Sequence, residues 1–157
     1  MDLNGVLMLS DSVCLACSGG GHLTELLLLK DFFSNKKHFF VTFKRQNTLD
    51  LKNEKIYFVS DPKRNFFLFA VNFFESLKIF LKEKPKIILS TGAGVAIPIC
   101  FIGKLFGSKI IFVESYCRIN EPSFSGKIIY RIADLFVVQW PEMLKHYPKA
   151  KYFGGFF

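Results

Sequence analysis

The sequence predicts one α/β domain with a Rossmann-like doubly wound parallel sheet. Strand-like and helix-like segments alternate from end to end, which is the order that parallel βαβ units require. The runs near 12–17, 86–90 and 109–114 are continuously apolar, typical of parallel strands covered on both faces. We therefore treat residues 1–157 as a single domain, with 1–11 as a short N-terminal extension.

The other elements follow from the same alternation. A leucine-rich helix comes after the first strand and its glycine turn, and the longest helix precedes the fourth strand. Apolar runs bounded by polar, glycine or proline residues mark the remaining strands. Strands are expected near 12–17, 38–43, 55–59, 86–90, 109–114, 134–138 and 151–153, and helices near 22–33, 65–83, 94–106, 124–132 and 141–146.

Composition limits the classes of function. Half of the residues are apolar and 20 are phenylalanine, which excludes a disordered chain. The 21 Lys and Arg residues against 13 Asp and Glu give a net charge of +8, and they are scattered among aromatic residues. No nucleic-acid-binding signature accompanies this charge. An anionic membrane surface or a phosphorylated substrate explains it equally well, and we expect no nucleic-acid partner.

Cysteines and hydropathy give an expected location. Cys14 and Cys17 have the spacing of a redox or zinc pair, but their positions in the first strand place their side chains on opposite faces. We therefore interpret them as buried thiols of a protein in the reducing cytosol. The N-terminus lacks a basic signal region, and no apolar run reaches the roughly 18–20 residues of a membrane span. The prediction is a cytoplasmic protein, peripheral on the inner face of the cell membrane.

The glycine turn is the most informative motif. Ser18-Gly19-Gly20-Gly21-His22 lies between the first strand and the first helix. The N–H groups and the dipole of a helix N-terminus suit an anion, and an imidazole can exchange a proton near neutral pH. A Walker loop would continue with Lys-Ser or Lys-Thr, whereas this turn continues with His. The dinucleotide fingerprint fits only in part, because Thr24 replaces its third glycine and Asp50 follows no clear strand.

Two further motifs are expected at the same edge of the sheet. Thr91-Gly92-Ala93-Gly94 follows the fourth strand, and Glu114-Ser115-Tyr116 follows the fifth. Ligands of such sheets bind beyond the carboxyl ends of the strands. Each motif alone also has an ordinary explanation: glycines tighten βα turns, loop carboxylates are solvated, and a histidine such as His22 caps or packs.

The helix near 65–83 is amphipathic and rich in phenylalanine. Basic residues flank both of its ends, as in helices that lie in a bilayer interface. An ordinary helix that covers the sheet explains the pattern equally well. The residues we assign to the membrane are Phe66, Phe67, Phe73, Phe74, Lys63 and Arg64.

Four motifs together resemble a known family. They are Cys17 to Leu26, Ser90 to Pro98, Phe112 to Ser115, and the closing Gln139-Trp140-Pro141-Glu142 with Tyr152 to Gly155. In this order they resemble PssD-like bacterial polysaccharide-biosynthesis glycosyltransferase subunits. These are related to the membrane subunit of the eukaryotic dolichol-linked N-acetylglucosaminyltransferase and to the N-terminal half of MurG-type GT-B enzymes.

The resemblance implies an inverting hexosyltransferase that works only with a partner. This chain would bind the polyprenyl-diphosphate-sugar acceptor, and a C-terminal-half GT-B subunit would bind the UDP-sugar, in capsular or exopolysaccharide biosynthesis. No cofactor and no metal are expected on this chain. His22 and Glu114 match the family's positions for a catalytic base, and Glu114 alternatively orients the acceptor.

The resemblance also implies a set of acceptor-binding residues. Backbone N–H groups of the two glycine motifs would bind the pyrophosphate. Arg118 would bind a phosphate oxygen, although a solvated arginine is an equal alternative. The acceptor and phosphate set is Ser18, Gly19, Gly20, Gly21, Thr91, Gly92, Gly94 and Arg118.

Two other functions stay open at this level. The chain is alternatively a non-catalytic membrane scaffold that recruits and activates the donor-binding partner. It is also alternatively a self-sufficient nucleotide-binding enzyme, for which the imperfect fingerprint is the only support.

Overall fold

The computed structural model describes residues 12–49 and 51–155. The strands are β1 (Val13–Cys17), β2 (His38–Thr42), β3 (Ile56–Phe58), β4 (Ile87–Gly92), β5 (Lys109–Val113), β6 (Leu135–Val138) and β7 (Lys151–Tyr152). They form one parallel seven-stranded sheet in the order β3-β2-β1-β4-β5-β6-β7. The predicted doubly wound Rossmann-like architecture is confirmed, and the chain changes direction across the sheet between β1 and β4.

The helices are α1 (Gly21–Leu28), α2 (Lys30–Phe33), α3 (Gln46–Leu49), α4 (Phe66–Glu83), α5 (Ile97–Leu105) and α6 (Phe124–Ile129). Short 3-10 turns span Gly94–Ala96 and Pro141–Lys145. The helix expected near 22–33 is divided in two at Leu29, whose backbone N–H bonds back to Leu26. The short α3 has no counterpart among the expected helices. The expected N-terminal extension 1–11 and Asp50 lie outside the described residues.

Two apolar clusters sandwich the sheet because side chains alternate along each strand. Cys14 and Phe112 belong to the cluster under α4 and α5, whereas Leu15, Cys17 and Val113 belong to the cluster under α1 and α2. The two cysteines of the pair therefore lie on opposite faces, as predicted, and both are buried. Burial raises the pKa of Cys17 to about 12 and also raises that of Cys14, so both thiols stay protonated.

Strand β4 is longer than the sequence predicts. Thr91 and Gly92, expected in a turn, are its last residues. The register with β1 shifts between Ala16 and Cys17, so that Cys17 pairs with Gly92. This irregularity, together with a φ of +115° at Gly92, carries the strand past its expected end and toward the glycine turn.

Candidate active site at the strand-order switch

The glycine turn opens helix α1 without a side-chain cap. Gly20 is the N-cap residue, with φ 88° and ψ −142°, a conformation that is essentially restricted to glycine. No side chain caps this end of α1 among the described residues. The N–H groups of the first helical turn therefore point out of the carboxyl edge of the sheet, where they can bind an anion.

His22 lies between the two glycine motifs. The Thr91 hydroxyl donates a 2.7 Å hydrogen bond to the backbone carbonyl of His22. The imidazole packs against Gly92, where a Cβ would stand 3.3 Å from His22 Cε1 and 3.5 Å from Nδ1. Nδ1 is buried and has no hydrogen-bond partner among the described residues. The residue as a whole is only half-buried, which leaves Nε2 as the nitrogen that can exchange a proton with a ligand.

The second glycine motif is largely satisfied by the protein itself. The N–H of Gly92 donates to the Ser90 hydroxyl at 3.1 Å, and the N–H of Ala93 donates to the Ser125 hydroxyl at 3.2 Å. Gly94 begins a 3-10 turn, and a Cβ added at this residue would meet no neighbouring atom within 4 Å. The first glycine motif is therefore the better candidate for binding a ligand through its backbone N–H groups.

Glu25 is a buried carboxylate that the sequence analysis missed. It lies one helical turn after His22, and its Oε1 accepts hydrogen bonds from the Ser115 hydroxyl at 2.8 Å and from the Tyr116 N–H at 3.2 Å. Gln139 Nε2 lies 3.4 Å from its other oxygen. These contacts tie α1 to the loops after β5 and β6. The spacing of three residues from His22 is the signal that would have found it.

Burial raises the pKa of Glu25 above its ordinary value. The hydrogen bond from Ser115 and the attraction of His22 act in the opposite direction, and the repulsion of Glu114 adds to the rise. An acidic group thus lies within electrostatic range of His22.

Glu114 is buried beneath the loop that follows β5. It is 1% exposed. Its Oε1 accepts from the Ser115 N–H at 3.0 Å, and its Oε2 accepts from the Ser123 N–H at 3.2 Å and the Tyr147 hydroxyl at 2.9 Å. Burial and the neighbouring Glu114 raise the pKa of Tyr147, so the phenol keeps its proton and donates it. Both carboxylate oxygens therefore accept hydrogen bonds from the protein, and these bonds fix the loop after β5 and the Tyr147 side chain.

The other expected acceptor residues occupy the same edge. Ser18 is buried directly after β1, and Thr91 is fully buried with its hydroxyl donating to the His22 carbonyl. Arg118 is exposed in the loop after β5, where its backbone N–H donates to Ser115. The structure brings Gly19 to His22 together with Thr91 and Gly92, and it places Glu114 behind them and Arg118 at the surface.

Helix α4 exposes aromatic side chains along its first half. Phe66, Phe67 and Phe74 are 88%, 73% and 62% exposed. Phe73 differs from them, since it is half-buried and packs against the core. Lys63 and Arg64 are exposed directly before the helix, both with left-handed backbone at φ 41° and 62°.

Two properties of the structure concern the expected membrane location and metal binding. Within residues 12–49 and 51–155, no helix combines the length and the hydropathy of a membrane-spanning segment. Over the same residues, His, Cys, Asp and Glu side chains nowhere gather in threes at metal-binding separations.

Comparison with solved structures supports the fold. MurG from Acinetobacter baumannii superposes with a TM-score of 0.72 at 17% identity, covering 84% of this chain and 42% of that enzyme. UDP-N-acetylglucosamine 2-epimerase from Rickettsia bellii gives a TM-score of 0.75 at 14% identity, covering 94% of this chain and 45% of that one. The chain thus spans less than half of each of these proteins, and at such identities the likeness concerns the fold alone.

Sequence comparison identifies the family. The human protein named UDP-N-acetylglucosamine transferase subunit ALG14 is 28% identical over 91% of this chain and 82% of its own length. The family model described as "Oligosaccharide biosynthesis protein Alg14 like" matches residues 59–156, which include β4, β5, Glu114 and the loops around them. That match covers more than half of the chain, and the protein therefore belongs to the Alg14-like family of oligosaccharide biosynthesis proteins.

Proposed function

We propose that this chain is the acceptor-binding, membrane-associated subunit of a two-component glycosyltransferase. The complex would transfer a sugar from a UDP-sugar to a polyprenyl-diphosphate-linked saccharide. The name of the human relative, a UDP-N-acetylglucosamine transferase subunit, favours N-acetylglucosamine as that sugar. Capsular or exopolysaccharide biosynthesis is the process we propose for it, on the resemblance to PssD-like subunits.

The position of His22 carries the proposal. It lies where the strand order reverses, the usual ligand crevice of such sheets. It is held by Thr91 through its backbone and packs against Gly92 through its ring. A group fixed at both points needs little reorganisation when a ligand arrives, which favours a role in proton transfer.

In the proposed reaction, Nε2 of His22 takes the proton from the attacking acceptor hydroxyl. The acceptor oxygen then bonds to the anomeric carbon as the bond from that carbon to the UDP oxygen breaks. UDP leaves with the bonding electron pair, and the configuration at the anomeric carbon inverts. The carboxylate of Glu25 stabilises the imidazolium through its charge.

We assign Glu114 the orienting role and not that of the base. Both of its oxygens already accept hydrogen bonds from the protein. Its contribution is to hold the loop that contains Arg118 and to accept a hydrogen bond from the Tyr147 hydroxyl. The base is therefore His22, and the loop after β5 borders the acceptor.

Membrane association rests on α4 in this proposal. The exposed Phe66, Phe67 and Phe74 are candidates for insertion among lipids, while Lys63 and Arg64 favour an anionic surface. The proposed site is the inner face of the cell membrane. Phe73 is half-buried against the core, and we assign it a smaller share of the contact surface than the three exposed phenylalanines.

Sugar transfer by the reconstituted pair tests the proposal. The chain is assayed with UDP-N-acetylglucosamine and a polyprenyl-diphosphate-sugar acceptor, alone and then with a candidate donor-binding subunit. Transfer only by the mixture is the expected result. Transfer by this chain alone would place the donor site here and contradict the two-component account.

A further inference from the structure

A basic cleft of about 500 Å³ lies beside the glycine turn, at the carboxyl ends of β2 and β3. Its lining residues are Phe43, Lys44, Arg45, Val59, Asp61 and Lys63. Three of them are cationic and one is acidic, so the cleft carries a positive charge. Among the described residues, no carboxylate lies within 4.0 Å of a side-chain nitrogen of these three cations. Within the part of the chain that the structure describes, no ion pair therefore neutralises these three cations.

Arg45 joins this cleft to the glycine turn. Its Nη1 donates to the Gly19 carbonyl at 3.4 Å and would stand 3.3 Å from a Cβ at Gly20. A Cβ at Gly19 would meet Arg45 Cβ and Cδ at 3.1 Å and Asn47 Oδ1 at 2.8 Å. The absence of side chains in the turn is what allows the 43–47 segment to close over it. The guanidinium and the uncapped N–H groups of α1 thus border one space.

The turn that contains Lys63, another lining residue of the cleft, is conformationally strained. Lys63 and Arg64 both have left-handed backbone, at φ 41° and 62°, which costs free energy in residues with a Cβ. The carboxylate of Asp61 accepts from the Lys63 N–H at 3.3 Å, and the Asn65 N–H donates to the Pro62 carbonyl at 2.6 Å. This turn holds Lys63 at the cleft and leads directly to the exposed Phe66 and Phe67.

We infer that this cleft binds the diphosphate of the lipid-linked acceptor, with Arg45 and Lys63 as its phosphate ligands. A planar guanidinium binds phosphate oxygens in a bidentate manner, and an ammonium adds a compact charge. The position also fits the rest of such a molecule. Lys63 is followed closely in the chain by the exposed Phe66 and Phe67, and Arg45 contacts the glycine turn that leads to His22. The inference rests on the proposed function for the identity of the acceptor.

Binding of the full chain to vesicles tests this site without any need for sugar transfer. Neutral phosphatidylcholine vesicles are prepared with polyprenyl diphosphate N-acetylglucosamine, with polyprenyl monophosphate, or with neither. We expect tighter binding to the diphosphate vesicles than to the other two. Arg45→Gln and Lys63→Gln should each weaken this diphosphate-dependent binding about tenfold or more, the range of a lost charge-assisted hydrogen bond.

Lys149→Gln is the matched control. This exposed lysine precedes β7 at the opposite edge of the sheet, and its replacement should leave the binding unchanged. Thermal unfolding verifies that each variant is folded. Because the Lys63 side chain is exposed, Lys63→Gln remains informative even if Arg45→Gln disturbs the segment over the glycine turn.

Two results would overturn the inference. The first is wild-type binding by both cleft variants. The second is displacement of the chain from diphosphate vesicles by free UDP, which would make the ligand a nucleotide diphosphate.

The two experiments together distinguish failure of the inference from failure of the proposed function. If the cleft variants fail to bind the diphosphate vesicles while the wild-type pair transfers no sugar, the diphosphate site is supported and the proposed function is contradicted. If the wild-type pair transfers sugar but the cleft variants bind the diphosphate vesicles as tightly as wild type, only the inference about the cleft is contradicted.

Discussion

The imidazole of His22 packs on the Cα of Gly92, so closely that a Cβ there would stand 3.3 Å from His22 Cε1. The two residues are 70 positions apart in the chain, and they meet because β1 and β4 are neighbours in the sheet. The first glycine motif thus supplies the histidine, and the second supplies the space in which its ring lies.

Gly92→Ala should displace the His22 ring and strain the backbone. The φ of +115° disfavours any residue with a Cβ, at a cost of about 1–3 kcal/mol. Transfer by the reconstituted pair should fall strongly. Gly107→Ala is the matched control, since Gly107 also has a positive φ, of +85°, but has no neighbouring atom within 4 Å of its added Cβ. It should lose stability yet keep its turnover per folded molecule, and equal turnover in both variants would contradict the packing argument.

Glu114→Gln should destabilise the fold more than it impairs the chemistry. The amide replaces an oxygen that accepts from Ser123 N–H and the Tyr147 hydroxyl, or the one that accepts from Ser115 N–H. A buried donor is left without its acceptor, which costs about 1–3 kcal/mol of unfolding free energy. Tyr147→Phe, which removes one donor and keeps the carboxylate, should cost less. An unfolding midpoint equal to wild type together with lost turnover would instead make Glu114 the base.

Glu25 should make the stability of the protein depend on pH. Its pKa is raised in the folded state, so the folded protein binds more protons than the unfolded chain. Its contribution to the free energy of unfolding should therefore decline as pH rises from the ordinary glutamate value of 4.5 to the raised folded value. Denaturant unfolding of wild type and Glu25→Gln across this range measures the difference. A difference that stays constant with pH would show that Glu25 is not perturbed.

The double variant Phe66→Ser with Phe67→Ser should weaken membrane binding. Burying a phenylalanine side chain contributes about 1.5–3 kcal/mol, so the partition coefficient onto anionic vesicles should fall about tenfold or more. Phe124→Ser, at an exposed position on α6, is the control and should partition as wild type does. An equal loss of vesicle binding in the double variant and in Phe124→Ser would contradict a specific role of α4 in membrane binding.

Most of the architecture was predictable because its signals are local. Continuous apolar strands, a glycine turn and a proline or asparagine near a helix start define elements over a few residues. All seven strands lie where the sequence predicts them. The end of β4 and the division between α1 and α2 were not predictable, because they depend on the register with β1 and on tertiary packing. The short α3 likewise depends on Thr48, whose hydroxyl accepts the Arg45 N–H.

The candidate site was only partly predictable for the same reason. His22 lies beside Thr91 and Gly92 because β1 and β4 are neighbouring strands. A parallel sheet predicts this proximity, since the carboxyl ends of its strands lie at one edge. The hydrogen-bond partners of Glu25 and Glu114 come from loops far along the chain, and no local pattern indicates them. The basic cleft was missed because Arg45 and Lys63 follow strands of ordinary appearance. The amphipathic pattern of α4, in turn, could not show that Phe73 is half-buried against the core.

The transfer rate of the His22→Ala complex tests the central claim most directly. The variant is combined with the donor-binding subunit, and co-purification confirms that the two chains still assemble. If His22 is the base, the rate should fall by roughly 10²–10⁴, the usual contribution of general-base catalysis. Turnover at the wild-type rate would contradict the account and leave this chain as a membrane scaffold for its partner.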